Sequence, residues 1–399
     1  MNAQHLDLME ATLHPLQKGN ARFGHPWIYK SQIKKISKGA RAGCDVLVKS
    51  SKGSVIGVGY YNPSSEIAIR ILSKDRQTID RSFFTARLRA AKEYRESLRI
   101  DANALRLVNS ESDLIPGLIV DRYADTIVVQ FLTLGTDSRR DMILDAIQEV
   151  WAPMSIYGRS DGVYRELEGM ETRKGWLRGS GSTRIEISEK DTRYWVDIES
   201  GHKTGFYLDQ RESRLFIGSW ESWAGKKVLD CFTYTGGFAL VAARHGAKQV
   251  IGLDLSDVSV ELARENANLN QVQGCEFRKE NVFDTLRRCE QEGESFDAVI
   301  LDPPSFTRSK QAVDKAHKGY KEIHLRALKI LKPGGLLLTF CCSHHIGMEE
   351  FQKIVLEASR DARRSLKIRK WFYQAKDHPV ILSIPESLYL KGLAAQVIP

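Results

Sequence analysis

Cysteine is sparse in this chain. Six thiols, Cys44, Cys231, Cys275, Cys289, Cys341 and Cys342, are spread over 399 residues, too thinly for a disulfide framework. There is no CxxC pair, so a zinc site of the usual spacing is not expected. Long apolar runs are also missing: nothing reaches the ~18 residues that a membrane-spanning helix needs. The opening MNAQHLDLMEATLH has no basic start followed by an apolar core, so no secretion signal is expected and the cytoplasm is the expected compartment. No GxGxxG follows any strand-like run, which argues against a dinucleotide site. Repeats and low-complexity segments are absent as well.

What the chain does have is a normal hydrophobic share, 42%, and a length that suggests two or three domains. Its formal net charge is +9 and its pI about 9.1. The excess is uneven. Residues 1–74 hold 11 Lys/Arg against 4 Asp/Glu, and RDARRSLKIRK (360–370) holds six against one. Solvated faces account for both runs, but two basic zones flanking a catalytic core suit contacts to a phosphate backbone. A homodimer surface is the other reading of these faces.

Hydrophobic periodicity divides the chain into three parts. Residues 1–74 read as short strands; DVLVKSSKGSVIGVGYYN alternates around SSKGS, a hairpin signal. Residues 75–180 read as a compact α/β domain, with helical spacing at 81–98 and 139–151 and strands in GLIVDRYADTIVVQFL and MSIYGR. Residues 181–399 begin with a hairpin whose turn is EKDT. Strand-like runs (KKVLDCF, QVIGLDL, CEFRKENVF, FDAVILDPP, GGLLLTFCC) then alternate with helical ones such as VELARENANLN. Such alternation predicts an open parallel sheet with helices on both faces.

Ligands of such sheets bind beyond the carboxyl ends of the strands. The first end, LDCFTYTGGFAL, offers Asp230, Thr233, Gly236 and Gly237. The next offers Asp254, a carboxylate about 20 residues past the glycines and so suited to a ribose diol; capping the following helix is its structural alternative. Asn281, in KENVFD, is positioned for an adenine or is simply a loop residue. An acid and a threonine-rich bend without a pyrophosphate cradle suit S-adenosylmethionine (SAM), a cofactor with a ribose and a sulfonium but no phosphate. FDAVILDPPSF ends at Asp302 on a loop stiffened by Pro303 and Pro304. The neighbouring strand, LLLTFCCSHH, delivers Cys341 and Cys342. His344 and His345 follow with no recognisable set of metal partners, so no metal is expected.

VLDCFTYTGGFAL, LDPPSF and LLLTFCCS together resemble the class I SAM-dependent RNA methyltransferases. GHKTGFYLDQR (201–211) and DHPVILSIPESLYLKG (377–392) narrow the resemblance to the bacterial large-subunit ribosomal RNA methyltransferase I family, over essentially the whole chain. That resemblance implies an α/β protein: a Rossmann-like class I methyltransferase domain preceded by a small β-rich PUA domain and a central α/β domain. It implies an enzyme making 5-methylcytidine in 23S RNA. GHPWIY (24–29) fits the start of the PUA module, with Arg22, His25 and Trp27 expected to meet RNA. Lys203, Gly205 and Phe206 join the expected cofactor site through the GHKTGFYLDQR block.

The family's T-F-x-C-S pattern reads Thr339, Phe340, Cys341, Cys342, Ser343, so Cys342 takes the nucleophile position and Asp302 its acidic partner. A buried, inert thiol is what strand periodicity alone would favour for Cys342. Many RNA 5-methylcytidine enzymes carry a second cysteine after the DPP-like motif; Ser305 stands there, which leaves the eliminating base unassigned. Pro303, Pro304, Ser305 and Phe306 are expected to line the target base, with Phe306, Phe206 and Tyr207 as candidate stacking platforms. His344 is a candidate base for the thiol. Two other readings remain. One is methylation of a purine ring or an exocyclic nitrogen, which needs no cysteine. The other is a non-catalytic RNA-binding assembly factor on a methyltransferase scaffold.

Overall fold

The computed structural model describes residues 8–15, 24–220, 222–307 and 313–399. These form two compact units, and the chain passes between them more than once. The first comprises residues up to Ile187 with Val196–Leu208 and Lys376–Ser387. The second comprises Ser188–Trp195, Asp209–Ala375 and Leu388–Pro399.

The first unit is built on two sheets. One joins β1 (Met9–Leu13), β2 (Trp27–Ile28), β3 (Ile33–Ile36), β4 (Asp45–Lys49), β5 (Val55–Tyr61) and β6 (Ile69–Ser73) in the order β2-β6-β5-β4-β1-β3. β4 and β5 pair antiparallel around the expected turn. The other sheet takes β7 (Ala104–Asn109), β8 (Leu118–Tyr123), β9 (Thr126–Phe131), β10 (Ser155–Ser160) and β11 (Arg173–Arg178) in the order β11-β10-β9-β8-β7. Helices α1 (Arg81–Ser97), α2 (Leu134–Asp137), α3 (Arg140–Trp151) and α4 (Val163–Leu167) accompany it. Asp80 caps α1, its carboxylate accepting from the Phe83 N–H at 3.0 Å. The 1–74 and 75–180 segments share one core. Leu47, Val58 and Tyr60 pack with Phe84, Leu107, Val129 and Ile147, and the Tyr60 hydroxyl donates to the Pro116 carbonyl at 2.7 Å.

The hairpin of β12 (Arg184–Glu189) and β13 (Thr192–Asp197) precedes the second unit's main sheet. That sheet contains β14 (Lys227–Cys231), β15 (Gln249–Asp254), β16 (Cys275–Lys279), β17 (Phe296–Leu301), β18 (Leu331–Cys341), β19 (Leu366–Tyr373) and β20 (Lys391–Val397). Its order is β16-β15-β14-β17-β18-β20-β19. Between strands run α5 (Arg211–Gly218), α6 (Gly237–Arg244), α7 (Asp257–Leu269), α8 (Val282–Glu292), α9 (Val313–Ile330) and α10 (Met348–Asp361). The first five strands of this order are parallel, as the alternating pattern predicts. β20 is the exception: it runs antiparallel to both β18 and β19, which share one direction. A wholly parallel sheet was the expectation, and the chain's final strand corrects it. β20 enters between β18 and β19, and its Leu393, Ala394, Ala395 and Val397 are buried there.

β18 and β20 approach closely at Gly392, opposite Phe340. A Cβ on Gly392 would lie 2.4 Å from the Phe340 ring and 2.8 Å from the Thr339 carbonyl oxygen. Overpacking of this kind costs about 1–3 kcal/mol. Gly392→Ala is therefore expected to lower the thermal midpoint by several degrees. Gly181→Ala, whose Cβ would meet only Trp176 at 3.7 Å, is expected to leave it within about a degree. Differential scanning calorimetry of the two variants checks this.

Candidate functional site

Register brings the strand ends of the second unit into line. Cys231 pairs with Leu253 and with Leu301, and Leu301 pairs with Thr339. One residue beyond that row stand Phe232, Asp254, Asp302 and Phe340. β18 alone continues, to Cys341, and then presents Cys342. Two carboxylates and a thiol thus converge at one edge because four parallel strands stop nearly together.

The loop after β14 is tightly wound. Phe232, Tyr234 and Gly236 all have positive φ, at 63°, 50° and 84°. Two of the three are not glycine, and such strain concentrates at ligand sites. Gly236 has no room for a side chain either, since a Cβ would meet the Phe277 ring at 3.0 Å. The bend is held by Asp230 and Asp254. Asp230 is fully buried; its Oδ2 accepts from Thr233 Oγ1 at 2.5 Å and from the Ala239 N–H at 3.0 Å. Asp254 accepts from the N–H of Tyr234 and from that of Ser256, both at 3.0 Å. Capping of α7 falls to Ser256, not to Asp254. Asn281 caps α8, accepting from the Phe283 N–H at 2.9 Å.

Beyond β17, Asp302 is half-buried and its Oδ2 accepts from Gln210 Nε2 at 3.1 Å. Pro303 is buried, Pro304 is exposed, and Ser305 donates to the Thr307 carbonyl at 2.7 Å. Phe306 packs against Tyr320, ring centroids 4.6 Å apart, with Phe232 and Phe283 nearby. Cys341 is fully buried and Cys342 half-buried. His344 is exposed, its ring 6.2 Å from that of Tyr389. Beneath the strand end, buried His324 bridges the Tyr320 carbonyl (Nδ1, 2.6 Å) and Thr339 Oγ1 (Nε2, 2.7 Å). A carbonyl only accepts, so Nδ1 carries the proton and Nε2 accepts from the threonine. Burial pushes this imidazole down to about 4, so it is neutral.

Lys203, Gly205 and Phe206 belong to the first unit. There Thr204 bridges Tyr123 (2.8 Å) and Asp121 (2.6 Å), and the Phe206 N–H donates to the Tyr123 hydroxyl. Lys203 stands 4.6 Å over the Tyr207 ring. His25 is only 3% exposed, its Nε2 3.0 Å from Glu386, so most of its ring is enclosed by the fold. Trp27 is half-buried and donates from Nε1 to Glu111 at 2.8 Å. Arg22 lies outside the described residues. Among the described residues, no group of three or more His, Cys, Asp or Glu side chains gathers closely enough for a metal ion. No helix among them is long and apolar enough to cross a membrane.

The electrostatics indicate what kind of ligand fits. Burial first, then the charges of Asp302 and Asp254, raises the Asp230 carboxyl to about 7. Its Oδ1 is buried without a hydrogen-bond partner, as is the Thr235 hydroxyl. Three acids around an unfilled acceptor suit a cationic ligand and disfavour a phosphate. SAM, with its sulfonium, ammonium and ribose diol, matches that donor and acceptor set.

The comparisons with known proteins point the same way. The profile of the S-adenosylmethionine-dependent methyltransferase family matches residues 147–381, and that of the PUA-like domain matches residues 11–74. Ribosomal RNA large subunit methyltransferase I from Tolumonas auensis is 42% identical over 381 residues, 94% of this chain and 96% of the relative. The protein of the same name from an Enterobacter species is 39% identical over 379 residues, 94% and 95% of the two chains. The chain belongs to the ribosomal RNA large subunit methyltransferase I family. Its fold is that of a SAM-dependent methyltransferase with a PUA-like domain at its start, and SAM is its cofactor. Among solved structures, a protein assigned as a SAM-dependent methyltransferase from Streptococcus mutans shares the fold. Its TM-score is 0.83 at 21% identity, over 97% of this chain and all of the other. A protein assigned as a methyltransferase and solved in complex with SAH scores 0.84 at the same identity and coverage.

Gln210, Tyr320 and His324 were not singled out from sequence. Gln210 sits inside GHKTGFYLDQR, whose polar end was the one available signal. Tyr320 and His324 lie four apart on α9, a spacing that also describes any buried helix face.

The raised Asp230 carboxyl has a consequence for stability. A folded-state value above the unfolded one favours folding at low pH, and that contribution is lost as pH rises from the ordinary carboxylate range through about 7. Asp230→Asn removes the ionisation. In the cofactor-free protein, the variant's thermal midpoint is expected to gain on wild type between pH 5 and pH 8. Melts across that range check this; a constant gap would mean that Asp230 ionises like an exposed acid.

Proposed function

We propose that this chain transfers a methyl group from SAM to C5 of a cytosine in large-subunit ribosomal RNA, through a covalent bond between Cys342 Sγ and C6. One observation carries the reading: a half-buried thiol stands at the end of the strand beside the one that delivers Asp302. Methylation at a ring or exocyclic nitrogen would have no use for that thiol.

The chemistry follows from the base. C5 of cytosine is a weak nucleophile. Addition of a thiolate to C6 forms the S–C6 bond and moves the C5=C6 electron pair into the ring, making C5 enamine-like. SAM, when bound, would supply the electrophilic methyl group that C5 accepts, with S-adenosylhomocysteine as the leaving group. Loss of the C5 proton then restores the double bond and expels the thiolate. Addition places negative charge on the ring, and Asp302 is assigned to the N3 edge, where its carboxyl, protonated before addition, donates its proton to N3 and offsets that charge. Gln210, bonded to the far side of that carboxylate, fixes its orientation.

On the cofactor side, Asp254 is assigned to the ribose hydroxyls, Asp230 and Thr235 to the cationic end, and Asn281 to the adenine edge. Thr233, Gly236 and Gly237 shape the bend. Pro303, Pro304 and Ser305 form a stiff wall, and Phe306 is the stacking surface for a base drawn out of its helix. The basic excess of residues 1–74 and of 360–370 supplies salt-sensitive affinity for the RNA backbone.

Cys342→Ser tests the reading. Turnover on unmodified large-subunit RNA is expected to fall by about 10³-fold or more, with SAM affinity by calorimetry unchanged within about twofold. RNA carrying 5-fluorocytidine, whose C5 fluorine blocks elimination, is expected to leave a covalent adduct on wild type and none on Cys342→Ser. Full turnover by the serine variant would sink the cysteine mechanism. Absence of any SAM binding by wild type would favour a non-catalytic RNA-binding role.

A further inference from the structure

The buried lysine at the start of β20 has no part in the mechanism above. Lys391 is only 6% exposed. It pairs across the antiparallel β18–β20 ladder with Cys341, and its Nζ donates to the Ser343 carbonyl at 2.6 Å. The two backbone positions bracket Cys342. Among the described residues no Asp or Glu forms an ion pair with it. An ammonium taken out of water with one carbonyl for company is costly unless a counter-charge is near.

We propose that Lys391 is a positioning residue whose buried ammonium is the counter-ion of the Cys342 thiolate. The proposal rests on the cysteine reading of the site and adds the group that keeps the nucleophile in its reactive form.

The other groups around the thiols leave this task to the lysine. From α9, Tyr320 faces them with a buried hydroxyl that makes no hydrogen bond of ordinary geometry; burial and the two sulfurs push its phenol up, so it stays neutral. His324, on the same helix, is neutral and saturated by Tyr320 and Thr339. From β17, Asp302 offers only a carboxyl, neutral or negative, which cannot balance a thiolate. His344, beyond β18, is exposed. Burial draws the Lys391 ammonium down while the Cys341 and Cys342 sulfurs hold it up, as a paired charge requires. Cys341 is fully buried, so of the two thiols whose charge acts on the lysine, Cys342 is the one open to substrate. Charge balance is simple: the Cys342 proton leaves to solvent, the lysine keeps its own, and the pair carries one charge of each sign. On addition to C6 the sulfur becomes a neutral thioether and the ammonium is left to the ring's developing charge.

The experiment follows carbamidomethylation of Cys342 by iodoacetamide against pH in the full-length protein, with the modified residue located by peptide mass spectrometry. Wild-type Cys342 is expected to react with a midpoint below the ordinary thiol value of about 8.5. Lys391→Met is expected to raise that midpoint by about one pH unit or more and to slow alkylation at pH 7 about tenfold. Lys391→Arg should restore most of the rate. A wild-type midpoint at or above that ordinary value overturns the proposal without any variant, as does an unchanged profile in folded Lys391→Met. Failure here is separable from failure of the cysteine reading. Loss of turnover in Cys342→Ser with an ordinary thiol titration would keep the nucleophile and remove the lysine. Full turnover in Cys342→Ser would remove both.

Discussion

The parallel pairing of β17 with β18 is the constraint on which the site depends. With Leu301 opposite Thr339, Asp302 leaves the sheet while β18 still has two residues to run, and Cys342 emerges just beyond. A slip of one residue would exchange every side chain of β18 between the two faces. That slip is prevented by burial: Leu337, Leu338, Phe340 and Cys341 are all enclosed. Phe340 stacks on Phe238 of α6 at 5.5 Å, tying the same strand to the helix that follows the cofactor bend. Packing that looks purely structural therefore sets the distance between acid and thiol.

A second feature is the concentration of negative charge at one edge. Asp230, Asp254 and Asp302 repel one another, and the buried Asp230 bears the consequence. An apo site strained by like charges gains most from a cationic ligand. The loop geometry agrees, since Phe232 and Tyr234 hold positive φ there and the Tyr234 N–H donates to Asp254. A cationic cofactor without a phosphate fits that distribution of charge.

Much of this could be read from sequence because strand ends announce themselves. Apolar runs of five or six residues stopping at an acid, a glycine pair or a double proline give the order and the edge of the parallel sheet. What could not be read are contacts made by distant segments. Lys391 looks like any surface lysine until β20 is seen to slip between β18 and β19. Gln210 meets Asp302 across more than ninety residues of chain. His25 sits in a basic, aromatic stretch that suggests an RNA face, yet its ring is turned inward onto Glu386. The basic run at 360–370 partly becomes the edge strand β19. There Arg369 lies over Trp220 and Lys370 over Phe216, and aromatic stacking of that kind is invisible to a charge count. Pairing between non-consecutive strands, and the burial it imposes, is the common reason for these omissions.

The central claim is that the thiol exists to make a carbon nucleophilic. Incubating the protein with labelled SAM and unmodified large-subunit ribosomal RNA, then digesting the RNA to nucleosides for mass spectrometry, tests it most directly. The account requires the label in 5-methylcytidine. Label in a methylated purine, or on a nitrogen of cytidine, would contradict it and return Cys342 to the role of a small residue filling the end of a strand.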